Sequence, residues 1–112
     1  MKQRRFESRF LCADLVRVDW VTGAREPRRV EGVLEDISAA GGCIQVEEPI
    51  PPGALIAISA GEAWLSGCVT YCVYQEDGYF VGIHFAEDAK WSPVTFEPQH
   101  LTNLSALSHR AD

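Results

Sequence analysis

The run Ala63-Trp64-Leu65-Ser66-Gly67-Cys68-Val69-Thr70-Tyr71-Cys72-Val73-Tyr74, then Glu76-Asp77-Gly78, then Tyr79-Phe80-Val81-Gly82-Ile83-His84-Phe85, decides the fold class. Both flanks alternate in period two and are rich in β-branched and aromatic residues, which is the pattern of strands. In the first flank Leu65, Val69, Tyr71 and Val73 share one face, and Trp64, Ser66, Cys68, Thr70 and Cys72 share the other. In the second, Tyr79, Val81, Ile83 and Phe85 alternate with Phe80, Gly82 and His84. Asp-Gly between them is a strong hairpin signal, because both residues accept the positive φ of a tight turn. The stretch therefore predicts two antiparallel strands, over 63–74 and 79–85.

The segments before it read the same way. Residues 10–20 predict a first strand, with Val16, Val18 and Trp20 alternating against Arg17 and Asp19. Its first half is apolar on both sides, which places a β-bulge near Asp14. After the turn Thr22-Gly23-Ala24 come strands over 28–38, with Gly32 as a weak point, and over 43–47, with Ile44 and Val46 on the core side. Pro49-Ile50-Pro51-Pro52-Gly53 is a rigid loop, since proline fixes φ and removes donors. A strand over 54–59 and the turn Ala60-Gly61-Glu62 complete the series. Six short strands joined by tight turns predict an all-β fold, a six-stranded antiparallel β-barrel.

Beyond Trp91-Ser92-Pro93 the period changes. Pro98 suits a first helical turn, and Leu101, Leu104 and Leu107 predict a short C-terminal amphipathic α-helix over about 97–107. That helix would cover an open end or face of the barrel. Trp64, on the polar face of its strand, would lie either under the helix or at a contact with another protein. Residues 1–9 read as a mobile basic arm, with Lys2, Arg4, Arg5 and Arg9 and one large apolar residue, Phe6. Residues 10–112 then form a single domain.

At 112 residues and 46% hydrophobic, the chain can build one core and has little room for two. No apolar run approaches the roughly 18–20 residues of a membrane span. The basic start lacks the apolar run of a signal peptide, so a cytoplasmic protein is expected. The cysteines agree: Cys12, Cys43, Cys68 and Cys72 show no paired metal-binding spacing. Cys68 and Cys72, on one strand, would lie about 13 Å apart, beyond the reach of a disulfide. Buried free thiols are expected. Residues 1–29 carry a net charge of +4, while residues 30–112 carry −10. A duplex-binding surface needs a dominant basic face, so duplex nucleic acid is not expected, and a small polyanion fits better.

One stretch concentrates candidate chemistry. Asp36-Ile37-Ser38-Ala39-Ala40-Gly41-Gly42 lies between two strands. Asp36 and Ser38 project to one side, Ile37 to the other, and the glycines mark a tight turn or a close backbone approach. A carboxylate, a hydroxyl and bare N–H groups would suit a ligand that offers both N–H donors and phosphate oxygens. The same residues equally make an ordinary strand-to-strand turn. Arg5 and Arg9, four apart, fall on one side of either a helix or an extended chain, so both can reach one ligand. Arg suits phosphate through its planar fork and bases through its face. A solvated basic terminus is the plain alternative. An enzyme is not expected: His84, His100 and His109 are scattered, and no nucleophile, metal or phosphate-loop motif occurs. No cofactor or metal is expected either. The acidic pairs Glu47-Glu48, Glu76-Asp77 and Glu87-Asp88 read as solvated turn charge.

Taken together, these residues resemble the PilZ domain family. Arg5-Phe6-Glu7-Ser8-Arg9 matches its Arg-x-x-x-Arg arm motif, and Asp36-Ile37-Ser38-Ala39-Ala40-Gly41 matches its Asp/Asn-x-Ser-x-x-Gly motif. Leu65-Ser66-Gly67-Cys68-Val69 and 79–85 look like the family's strand patterns. The resemblance covers roughly residues 4–85, and a following helix is usual for such domains. It implies a bacterial receptor for the second messenger cyclic di-GMP that orders its arm on binding and signals to a downstream protein. Arg5 and Arg9 would contact phosphates and guanine edges, Asp36 would accept from guanine N–H groups, and Ser38 would bond the ligand or fix the loop. Gly41 would keep the backbone clear, with Arg4 and Gly42 as additional contacts. Some family members bind no nucleotide and serve only as protein-interaction modules, which is the alternative implied.

Overall fold

Each strand buries one apolar face, and six such faces close on a common interior. The structure is a computed structural model that describes residues 10–86 and the backbone of Thr102–Asn103. Its strands are β1 (Phe10–Val21), β2 (Pro27–Ile37), β3 (Gly41–Val46), β4 (Leu55–Ala60), β5 (Ala63–Gln75), β6 (Gly78–Phe85) and β7 (Thr102–Asn103). The order β2-β3-β6-β5-β4-β1, with β1 also paired to β2, closes a six-stranded barrel. Every pairing is antiparallel. The expected all-β barrel is therefore present. Of the expected helix over 97–107 only Thr102 and Asn103 are described, and they pair in extended form with Leu11 and Phe10 as β7. The rest of that segment, Glu87-Asp88, His100 and His109 lie outside the described residues.

The core follows the period-two pattern. Val16, Val18 and Trp20 of β1, Ile44 and Val46 of β3, and Val81, Ile83 and Phe85 of β6 are all buried. Ile50, fully buried, brings the proline-rich loop into the same cluster. Each such side chain contributes about 1.5–3 kcal/mol by leaving water.

Three bulges reset which way the side chains face. In β1 the register shifts between Leu11 and Asp14, at the expected place. In β2 it shifts between Leu34, opposite Ile44, and Asp36, opposite Cys43. Period two alone would turn Leu34 and Asp36 to the same side. The extra residue, Glu35, lets Leu34 and Ile37 both be fully buried while Asp36 faces outward. In β5 the shift falls at Thr70: Val69 pairs with Ile83 and Tyr71 with Gly82. This corrects one expectation. Tyr71 and Val73, predicted to share the core face with Leu65 and Val69, are 45% and 49% exposed, and Cys72 packs against the core instead.

Of the two readings of Gly41 and Gly42, close backbone approach is the one present: they open β3, paired with His84 and Ile83, and one further correction concerns the thiols. Cys68 and Cys72 are half-buried rather than buried, and both are unbridged, as are the buried Cys12 and Cys43. Trp64 is 63% exposed on the outer face.

Candidate functional site

The bulge at Glu35 brings Asp36 into a row that crosses four strands. Asp36 pairs with Cys43, Cys43 with Gly82, and Gly82 with Tyr71. Three inter-strand gaps of ~4.8 Å make this row about 14 Å long. The next row outward joins Gly41, His84 and Cys68. Between these rows lies an open cleft of about 460 Å³ on the outer wall of the barrel. Asp36, Ser38, Gly41 and Gly42 line it, and so do Thr70, Tyr71, Gly82 and His84. The structure thus brings together the four expected site residues that it describes. Arg4, Arg5 and Arg9 lie outside the described residues.

Ser38 is the hinge of the turn beneath the cleft. Its N–H donates to the Gly41 carbonyl at 2.8 Å and its hydroxyl donates to the same oxygen at 3.3 Å. Phe85 N–H donates to the Ala40 carbonyl at 2.7 Å and ties the turn to the end of β6. These bonds fix the Ser38–Gly41 turn. Gly41 is needed for a related reason: a Cβ there would sit 2.2 Å from the Ile83 carbonyl oxygen. The bare backbone lets β3 close on β6.

Tyr71 forms the far wall. A Cβ on Gly82 would lie 2.1 Å from its ring, so only glycine lets the ring rest over the β6 backbone. The sequence reasoning missed Thr70, Tyr71, Gly82 and His84. An isolated glycine inside a strand pattern, as at Gly82, is the one signal that marked a close approach.

The electrostatics of the site are lopsided. Burial, with Asp14, Asp36 and Glu35 nearby, pushes the Cys12 thiol up to about 12. Carboxylates therefore gather behind the Asp36 end. Among the described lining residues there is no Lys or Arg, and His84 is the only side chain able to carry positive charge. A larger cleft of about 580 Å³, further along β2 and β3, carries Glu31, Glu47, Glu48 and Asp77, which disfavours an anionic ligand there. Among the described residues no group of three or more His, Cys, Asp and Glu could hold a metal ion, and no helix is long and apolar enough to cross a membrane.

No known family model matches the chain, and no curated protein matches it.

Proposed function

We propose that the chain is a PilZ-like receptor for cyclic di-GMP that folds its N-terminal arm over the cleft and so presents a new surface to a protein partner. One observation carries the reading. Leu11 is the register partner of Asp36, and Phe10 of Ile37, so the basic arm joins the barrel beside the cleft that holds Asp36. The cleft offers a carboxylate for guanine N–H donors and an aromatic face in Tyr71, and among its described lining residues there is no Lys or Arg. Arg9 is bonded directly to Phe10, and Arg5 lies four residues before it. Their guanidiniums supply the charge that a cyclic diester requires, and a fork that suits guanine O6 and N7.

Ordering an arm costs roughly 1–2 kcal/mol per backbone residue. Several charge-assisted bonds at about 1.5–3 kcal/mol each offset this for a few residues. Calorimetric titration with cyclic di-GMP should give micromolar binding, near −8 kcal/mol. Arg5→Ala or Arg9→Ala should weaken it by roughly tenfold or more, one charged bond's worth, and leave the free protein's melting point unchanged. Asp36→Ala should weaken it as well. Amide exchange in residues 1–9 should slow with ligand. Titration without heat would refute the receptor and leave the same barrel as a protein-interaction module. Micromolar binding that ignores Arg9→Ala and leaves the arm's exchange unchanged would refute the arm mechanism alone.

A further inference from the structure

Strand β5 outruns its neighbour. It pairs with β4 only from Ala63 to Cys68. Val69 is then held by the loop, its N–H donating to the Ala54 carbonyl and its carbonyl accepting from Gly53 N–H. From Tyr71 to Gln75, among the described residues, only β6 pairs with it and no strand occupies its other edge. Glu76 and Asp77 both have positive φ, 55° and 69°, as a two-residue type I′ turn requires. Such a turn makes Gln75 and Gly78 a hydrogen-bonded pair, so by alternation Cys72 and Tyr74 aim their N–H and C=O groups at the open edge.

Beyond the bulge at Thr70, this edge carries few of the usual protections among the described residues. Natural edges are kept apart by Lys, by Pro or by being very short. Thr70-Tyr71-Cys72-Val73-Tyr74-Gln75 contains no charge and no proline, and Tyr71, Val73 and Tyr74 are 45%, 49% and 64% exposed.

We propose that this edge pairs antiparallel with the same edge of a second copy of the chain, about a two-fold axis at Val73. In that register Cys72 faces Tyr74 of the second copy and Tyr74 faces its Cys72. Both pairs join backbone groups that already point outward. The charges choose the orientation. Parallel pairing would set Glu76 against Glu76 and Asp77 against Asp77, which is repulsive. Antiparallel pairing sends each acidic tip past the far end of the strip, to Thr70 and Val69 of the other copy. A chain of net charge −6 repels itself elsewhere, so contact is confined to this neutral strip. A basic peptide would find no carboxylate within it. Thr70 and Tyr71 also line the cleft, so the pairing would bring Glu76 of the second copy to its mouth.

Sedimentation equilibrium of the full chain, from low micromolar to near-millimolar protein, tests it. The expected result is a reversible monomer–dimer equilibrium. Val73→Lys, which sets two ammonium groups side by side on the axis, should weaken it by roughly tenfold or more. Val73→Thr should preserve it, and so should Leu55→Lys, at a residue more exposed but off the strip. Amide exchange at Cys72 and Tyr74 of the unsubstituted protein should slow as concentration rises, a readout that needs no variant to fold. A monomer throughout the range, a dimer indifferent to Val73→Lys, or exchange at these two amides independent of concentration would each overturn the proposal.

Discussion

Gly41→Ala separates a glycine that spares room for a ligand from one that holds the barrel shut. The added Cβ would meet the Ile83 carbonyl oxygen at 2.2 Å. Ordinary contact begins at 3.4 Å, so β3 and β6 would have to part by more than about 1 Å, and interiors do not absorb such a shift freely. The obstacle is backbone on both sides, and Gly41 and Gly42 open the β3–β6 ladder. Overpacking of this kind costs about 1–3 kcal/mol, and two weakened ladder bonds add about 0.5–1.5 kcal/mol each. A total of about 2–6 kcal/mol, at roughly 4–8 °C per kcal/mol for a domain of this size, lowers the melting point by about 10–50 °C. Thermal unfolding followed by circular dichroism, with no ligand added, reads this directly. Gly23→Ala is the control, since a Cβ there meets nothing within 4 Å. If Gly41→Ala melts together with Gly23→Ala, the close approach of β3 to β6 is not what demands glycine.

Gly82→Ala should cost less than Gly41→Ala, because the obstacle is a half-exposed ring rather than backbone. The Tyr71 ring resonances should shift as the ring leaves the β6 backbone, and unshifted resonances would refute the stacking. Ser38→Ala removes one of two bonds to the Gly41 carbonyl, so denaturant unfolding should show a loss of about 1 kcal/mol, with a loss near zero counting against the hydroxyl's role. Cys12 should make stability fall in alkali. The unfolded thiol ionises near 9 while the folded one holds its proton up to about 12. The folded state then binds more protons between these values, so stability present below the lower one is lost as pH rises toward the upper. Denaturant midpoints at about pH 8 and about pH 10 should differ more in the unsubstituted protein than in Cys12→Ala, and equal differences would refute the assignment.

The sequence carries strand placement well, because burial on one face imposes period two, and Val16-Arg17-Val18-Asp19-Trp20 can satisfy it only as a strand. It carries frame changes poorly. Nothing local at Thr70 shows that one residue is left over in the pairing, yet that residue moves Tyr71 and Val73 from core to surface. Asp36 and Ser38 were legible as a cluster because a tight turn brings near neighbours together. Tyr71, Gly82 and His84 join them through the pairings of β3 with β6 and β6 with β5, and such long-range register leaves no mark in either segment alone. Gly41 was legible as a residue that must lack a side chain, but the group that forbids one, the Ile83 carbonyl, comes from another strand.

The position of β6 between β3 and β5 has a consequence for synthesis. Of the six barrel strands it is the last in chain order, yet it joins residues 41–46 to residues 67–75. A ribosome delivers the chain from its N-terminus at roughly 5–20 residues per second. Until 78–85 have emerged, β3 and β5 each expose an unpaired apolar edge, the condition under which nascent chains associate wrongly. Closure also waits on the distant β1–β4 pairing, so folding belongs to the slower, non-local class. Translation stalled before Phe85 would leave the barrel open along both seams that β6 closes.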